Sequence, residues 1–187
     1  MSNNDQELAR RAGQGDEQAF AELFSLYHER VYAVVYRFCR KDADADELAQ
    51  QVWVKVWKKL HTYKGDAAFF TWLYRVVSFH CLDHIRKQKR RRETEWLEAV
   101  DYSDEQVQPS VSTMRPDREL ERKEVRERFE AALDHLKPEH RMALVLREVE
   151  GLSYEEIGRA MSCRKGTVMS RIFYARKAIQ EYLVESR

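Results

Sequence analysis

Residues 151–177 constrain the fold more than any other stretch, because their apolar spacing fits a pair of short helices and not a strand. Ile157 and Met161 are four apart, and Val168, Ile172, Ala175 and Ile179 follow at steps of four, three and four, the period of one helix face. Ser153 is placed to cap the first helix, and Glu156 completes a capping box. A turn is expected near Ser162 and Cys163. At about 100° per residue, the side opposite the second apolar seam carries Thr167, Ser170, Tyr174 and Lys177, with Arg171 and Phe173 at its edges. Arg164, Lys165, Arg171, Arg176 and Lys177 place five cations in residues 163–177 with no acid. Arg164 and Lys165 sit near the helix N-terminus, where the macrodipole disfavours positive charge, a cost that a phosphate would offset. The outward set can donate to phosphates and base edges and touch thymine methyls. The pattern reads as a helix-turn-helix whose second helix enters a DNA major groove. The plainer alternative is two packed amphipathic helices with a solvated basic face.

The rest of the chain is also helical in character. Only 6 Gly and 3 Pro in 187 residues leave few breaks, and 35% charged residues restrict the chain to small cores. An all-α fold is expected. No apolar run approaches the roughly 20 residues of a membrane span, and the N-terminal residues lack the basic and apolar regions of a signal peptide. A cytoplasmic protein without membrane insertion is expected. Cys39, Cys81 and Cys163 cannot all pair with each other, and their wide spacing fits reduced thiols. His80 and His84 are one helical turn apart, but Cys81 points elsewhere and no second ligand pair stands out. Asp42, Asp44 and Asp46 imitate the start of a calcium loop, yet its sixth position is Glu47 and its twelfth Trp53. With no phosphate-cradling glycine loop and no readable catalytic cluster, neither metal nor cofactor is expected, and the chain does not read as an enzyme.

Charge distribution divides the chain. Residues 84–92 carry six Lys or Arg and no acid, whereas residues 93–114 carry six Asp or Glu and no base. This reversal predicts a first domain over 1–92, an acidic linker over 93–118 and a second domain over 119–187. In the first domain, Phe20, Leu23, Phe24, Tyr27, Val31, Val34, Val35 and Phe38 predict helix within 16–40. A second helix is expected from Asp44 to Leu60, with Leu48, Val52 and Val56 in one row, Trp53 and Trp57 beside it, and Glu47, Gln50 and Gln51 outward. A third is expected from Ala68 to Lys89, with Leu73, Val77, His80 and His84 at core spacing. Of its neighbourhood's aromatics, Tyr63, Phe69, Phe70, Trp72, Tyr74 and Phe79, at least half are expected in the core, Trp72 foremost. Aromatics leading into the basic run also suit unpaired bases, which stack on rings while cations hold their phosphates.

The two halves together resemble the extracytoplasmic-function, or group 4, sigma factors of the sigma-70 family. Residues 46–53 are similar to region 2.2 of that family. Residues 70–77, followed by Asp83 and Arg86, are similar to regions 2.3 and 2.4, residues 136–141 to the start of region 4.1, and residues 151–161 and 166–177 to region 4.2. The resemblance implies two small helical domains, sigma-2 and sigma-4, in a promoter-specificity subunit that serves a stress- or signal-responsive gene set. It implies that Glu47, Gln50 and Gln51 meet the clamp helices of core RNA polymerase. It implies that Tyr63, Lys64, Gly65, Asp66 and Phe69 hold an extruded base of the −10 element, with Arg75, Phe79, Asp83 and Arg86 facing the melted strand. Sigma-4 would sit on the polymerase flap and read the −35 element through Arg164, Lys165, Thr167, Ser170, Arg171, Phe173, Tyr174, Arg176 and Lys177. An anti-sigma factor is the implied antagonist. The chain departs from the family pattern at Gln51, Ser78, Phe79, Arg164, Met169 and Tyr174. The alternative is an autonomous, dimeric helix-turn-helix regulator.

Overall fold

Helix α1 (Asn3–Gly13), which the sequence reading did not anticipate, buries Leu8, Ala9 and Ala12. The chain then turns through Gly15 at φ 98°. Asp16 accepts from the Ala19 amide at 3.0 Å, satisfying an orphan donor at the start of α2 (Glu17–Cys39). α3 (Asp42–Lys59) follows, then a single 3₁₀ turn (Leu60–Thr62) and the long α4 (Phe69–Glu98). The computed structural model describes residues 3–39, 42–98 and 128–185. The second half contains α5 (128–134), α6 (Pro138–Glu148), α7 (Tyr154–Ala160) and α8 (Lys165–Glu185). Pro138 opens α6, where its missing N–H is no loss. No strand occurs among the described residues, whose fold is all-α. No described helix is long and apolar enough to cross a membrane.

Two expectations need correction. α4 continues to Glu98, past the helix end expected at Lys89. Residues 93–98 reverse the charge but contain neither Gly nor Pro, and charge sign alone does not end a helix. The rest of the expected linker, and the expected domain start at 119, lie outside the described residues. The buried seam of α4 runs through Leu73, Val77 and Cys81 rather than through the histidines. His80 and His84 sit half-buried beside it, hydrogen-bonded to Gln51 and Gln88.

The first core is built around Leu23, Val31, Val34, Phe38, Val52, Val56, Phe69, Leu73 and Tyr74. Most of the α2 stripe is buried as its period requires, with Phe20 half-buried and Phe24 at the margin. The second core gathers Met142, Leu146, Ile157, Val168 and Ile172. All three cysteines are free thiols. Burial, with Asp44 nearby, pushes the Cys39 thiol up to about 12, and burial pushes Cys81 well above its ordinary range.

Candidate nucleic-acid interface

Short-range bonds build the helix-turn-helix. The Ser153 hydroxyl accepts from the Glu156 amide at 3.2 Å, and the Glu156 carboxylate accepts from the Ser153 amide at 2.8 Å. Both arms of the expected capping box are therefore present. The chain leaves α7 through Ser162 at φ 51°. The Cys163 amide donates to the Gly158 carbonyl at 2.8 Å. A Cβ at Gly158 would lie 2.8 Å from the Cys163 carbonyl oxygen, so the missing side chain lets the turn fold tightly under α7. The sequence reading passed over Gly158. Its only signal was a glycine inside a helical pattern.

On α8 the buried seam is Val168, Ile172, Ala175 and Ile179, the four positions expected from their spacing. Arg164, Lys165, Thr167, Ser170, Phe173, Tyr174, Arg176 and Lys177 are exposed, and Arg171 is half-buried. Several of these cations are held at the rim of the face. Lys165 pairs with Glu155 at 2.6 Å, Arg176 with Glu148 at 2.6 Å, and Lys177 with Glu181 at 3.6 Å. Arg171 donates to the Cys163 sulfur at 3.4 Å. The Tyr174 ring stacks over His140 with centroids 6.3 Å apart.

The first half presents a cleft lined by Tyr63, Lys64, Asp66, Trp72, Arg75 and Phe79, with Arg159 of α7 on its far side. Gly65 takes φ 80° at the tip of the loop, and the Tyr63 hydroxyl pins that loop by donating to the Ala67 carbonyl at 2.7 Å. Phe69 does not belong to this surface. Its side chain is only 1% exposed and packs against Tyr27, Tyr63 and Trp72, because the first turn of α4 faces the core. Phe69, Phe70 and Tyr74 are buried whereas Trp72 is half-buried, so half of the six rings are core but Trp72 is not the foremost. Asp83 and Arg86 lie farther along α4, outside the cleft lining. The Lys87 ammonium, 2.9 Å from Asp83, holds that carboxyl below its ordinary range. Arg86 pairs with Glu139 of α6 at 3.2 Å.

Glu47, Gln50 and Gln51 form an exposed polar ledge on α3. The Gln51 amide donates to Glu47 at 2.8 Å, and its carbonyl oxygen lies 3.2 Å from the His80 ring nitrogen. Val54, one turn further on, is also exposed.

Sigma-70 region 2 matches residues 23–91, and Sigma-70 region 4 matches residues 126–179. The chain is 35% identical to the RNA polymerase sigma-H factor of Pseudomonas aeruginosa over 182 residues, covering 96% of this chain and 93% of that protein. This chain is an extracytoplasmic-function sigma factor of the sigma-70 family. The ECF RNA polymerase sigma-E factor of Escherichia coli is 34% identical over 94% of this sigma factor and 92% of its own length. Two solved structures share the fold. CnrH in complex with the cytosolic domain of CnrY gives a TM-score of 0.70 at 22% identity, covering 99% of this chain and all of that one. The sigma factor RpoE from Bartonella quintana, in complex with the anti-sigma factor NepR, gives 0.64 at 24% identity, covering 90% and 98%.

The two halves of this sigma factor pack on each other, with α7 against α4 and α6 against α2 and α4. Arg30 of α2 donates to the Glu150 carboxylate through Nε at 3.0 Å and Nη2 at 2.8 Å. The Glu150 side chain is only 3% exposed. The Tyr74 hydroxyl is buried beside that carboxylate, and burial followed by the interaction with Glu150 raises its ionisation well above the usual range. Arg141 of α6 donates to the Phe38 carbonyl near the end of α2 at 2.8 Å. The sequence reading assigned no role to Arg30, Arg141 or Glu150.

Proposed function

We propose that this chain acts as the promoter-specificity subunit of a bacterial RNA polymerase, directing initiation at a stress- or signal-responsive set of promoters and catalysing no reaction itself. The observation that carries this reading is α8, a helix with a full buried seam and an exposed, acid-free basic N-terminal half mounted on a capped partner helix. In this reading α8 enters the major groove of the −35 element, with its flanking cations near phosphates. The cleft of Tyr63, Lys64, Asp66, Arg75 and Phe79 takes an unstacked base of the −10 strand, with Gly65 shaping the loop. Asp83 and Arg86 follow the strand along α4.

The α3 ledge of Glu47, Gln50 and Gln51 is the proposed contact with the clamp helices of core polymerase, and the second half is proposed to rest on the flap. The acidic residues of the linker would occupy a basic polymerase channel. An anti-sigma factor is the proposed antagonist, covering the polymerase-binding faces. The two fold relatives described above are both complexes, one of them with a protein named as an anti-sigma factor.

The test is reconstitution. Purified protein is mixed with core polymerase and genomic promoter fragments, and run-off transcript starts are mapped. Defined starts that depend on this protein are expected. No association with core, together with tight binding to a palindromic duplex alone, would replace this reading with the autonomous regulator.

A further inference from the structure

We propose that Met169 and Phe173 determine specificity by reading thymine C5-methyl groups on neighbouring base pairs of the −35 element. The inference rests on the sigma-factor reading and deepens it. Met169 is 49% exposed and Phe173 62% exposed, one helical turn apart on α8, where with Tyr154 and Arg176 they line a shallow notch. Neither has a place in the core, because Val168, Ile172, Ala175 and Ile179 already fill the seam. Two large apolar side chains held in water on an otherwise polar, basic face call for an anionic partner with an apolar spot inside its charged border. A DNA major groove has that form, with phosphates along both edges and, at every A·T pair, a methyl group on the floor.

The arginines of α8 strengthen the argument. Guanine is usually read by a bidentate guanidinium. Arg176 is already bonded to Glu148 at 2.6 Å, and Arg171 to the Cys163 sulfur at 3.4 Å. Both are thereby drawn to the protein side of the rim, where a phosphate is within easier reach than a base edge. The large apolar side chains left standing outward between them, beside the smaller Thr167 and Ser170, are Met169, Phe173 and Tyr174. Tyr174 is steadied by its stack on His140 and by an edge contact with Phe173 at 5.4 Å, so the Phe173 ring is buttressed rather than loose. Such a surface favours thymine over cytosine by contact with one extra methyl.

The test uses the full chain bound to core polymerase and a promoter duplex library randomised over the −35 region. In the most strongly selected duplex, each thymine is then replaced by deoxyuridine, which removes only the methyl group. Binding is expected to weaken about fourfold, the worth of one buried methyl, at two neighbouring positions. Met169→Ala should abolish the loss at one position and Phe173→Ala at the other. Met169→Arg should shift the selected base toward guanine, a gain that a misfolded variant cannot produce. A selected element without thymine, uridine tolerated throughout, or penalties that persist in both alanine variants would overturn the proposal. If the wild-type chain forms no complex with core and yields no starts, the sigma-factor reading fails first. If starts appear and uridine is silent, only the methyl reading falls.

Discussion

Helices α4 and α8 are the two that the proposed function brings to DNA, and they are built differently. α8 has one buried seam and packs on α6 and α7 of its own half. α4 is packed by its own half on one side and by α7 on another, and Arg159 of α7 reaches the edge of its cleft. The difference teaches how far a helix can be read alone. Where one face is buried, periodicity assigns every residue to inside or outside. Where two faces are buried, the apolar pattern widens and the exposed strip is set by the neighbour.

The sharpest way to break this comparison is a pair of substitutions on α8. Ile172→Ala should destabilise the protein by about 2–5 kcal/mol, because it empties a fully packed site. Phe173→Ala, at the adjacent residue, should stay within about 0.5 kcal/mol. Urea denaturation of both variants checks this. Similar losses would mean that α8 is buried on two faces, as α4 is.

A weaker perturbation targets the packing between halves. Glu150→Gln leaves Arg30 without its ionised partner, and a loss of about 1–3 kcal/mol is expected, less than for a fully buried pair because Arg30 is partly solvated. Small-angle scattering should show a larger radius of gyration for the variant. An unchanged radius would mean that apolar contact between α4 and α7 holds the halves together without the pair.

Smaller still, Ser153→Ala should cost about 1 kcal/mol through the lost cap, with α7 more open to hydrogen exchange and α4 unaffected. Protection lost equally in both helices would show that α4 depends on α7 for its order.

The smallest effect concerns pH. Burial, then Lys55, depresses the His80 imidazole below its ordinary value of 6.5, and burial, then Lys137 and Arg171, does the same for His140. Each ring binds a proton more readily in the unfolded chain, so its contribution is complete above about pH 6.5 and is lost as pH falls through the lower folded value. Stability measured between pH 7 and pH 5.5 should decline modestly. His80→Gln should flatten part of that slope, and a slope unchanged in this variant would place the titration elsewhere.

Legibility in the sequence followed the same division. The α8 seam and the Ser153–Glu156 box were readable because both depend on residues within a few turns of one another. The burial of Phe69 was not legible, because an aromatic beside a basic run looks the same in sequence whether its ring faces a neighbouring helix or solvent. The α4 seam was misjudged at His80 and His84, where steps of three and four both suit a helix and only the packing of α3 selects between them. α1 was missed because its buried face consists of Leu8, Ala9 and Ala12, too little apolar surface to stand out in a polar segment. Arg30, Arg141 and Glu150 were unreadable as partners because each meets a residue far away in the chain.

The bond from Arg141 to Phe38 spans 103 residues. Near its end α2 therefore borrows a donor from another segment rather than relying only on caps in its own sequence. Closing so long a loop is slow compared with forming either helix, although its entropic cost grows only slowly with length. The contact therefore belongs late in the folding order, after α2 and α6 already exist to be joined. A fragment carrying only the first half lacks Arg141 and leaves the Phe38 carbonyl to water, so it should show its earliest fraying at the C-terminal turn of α2.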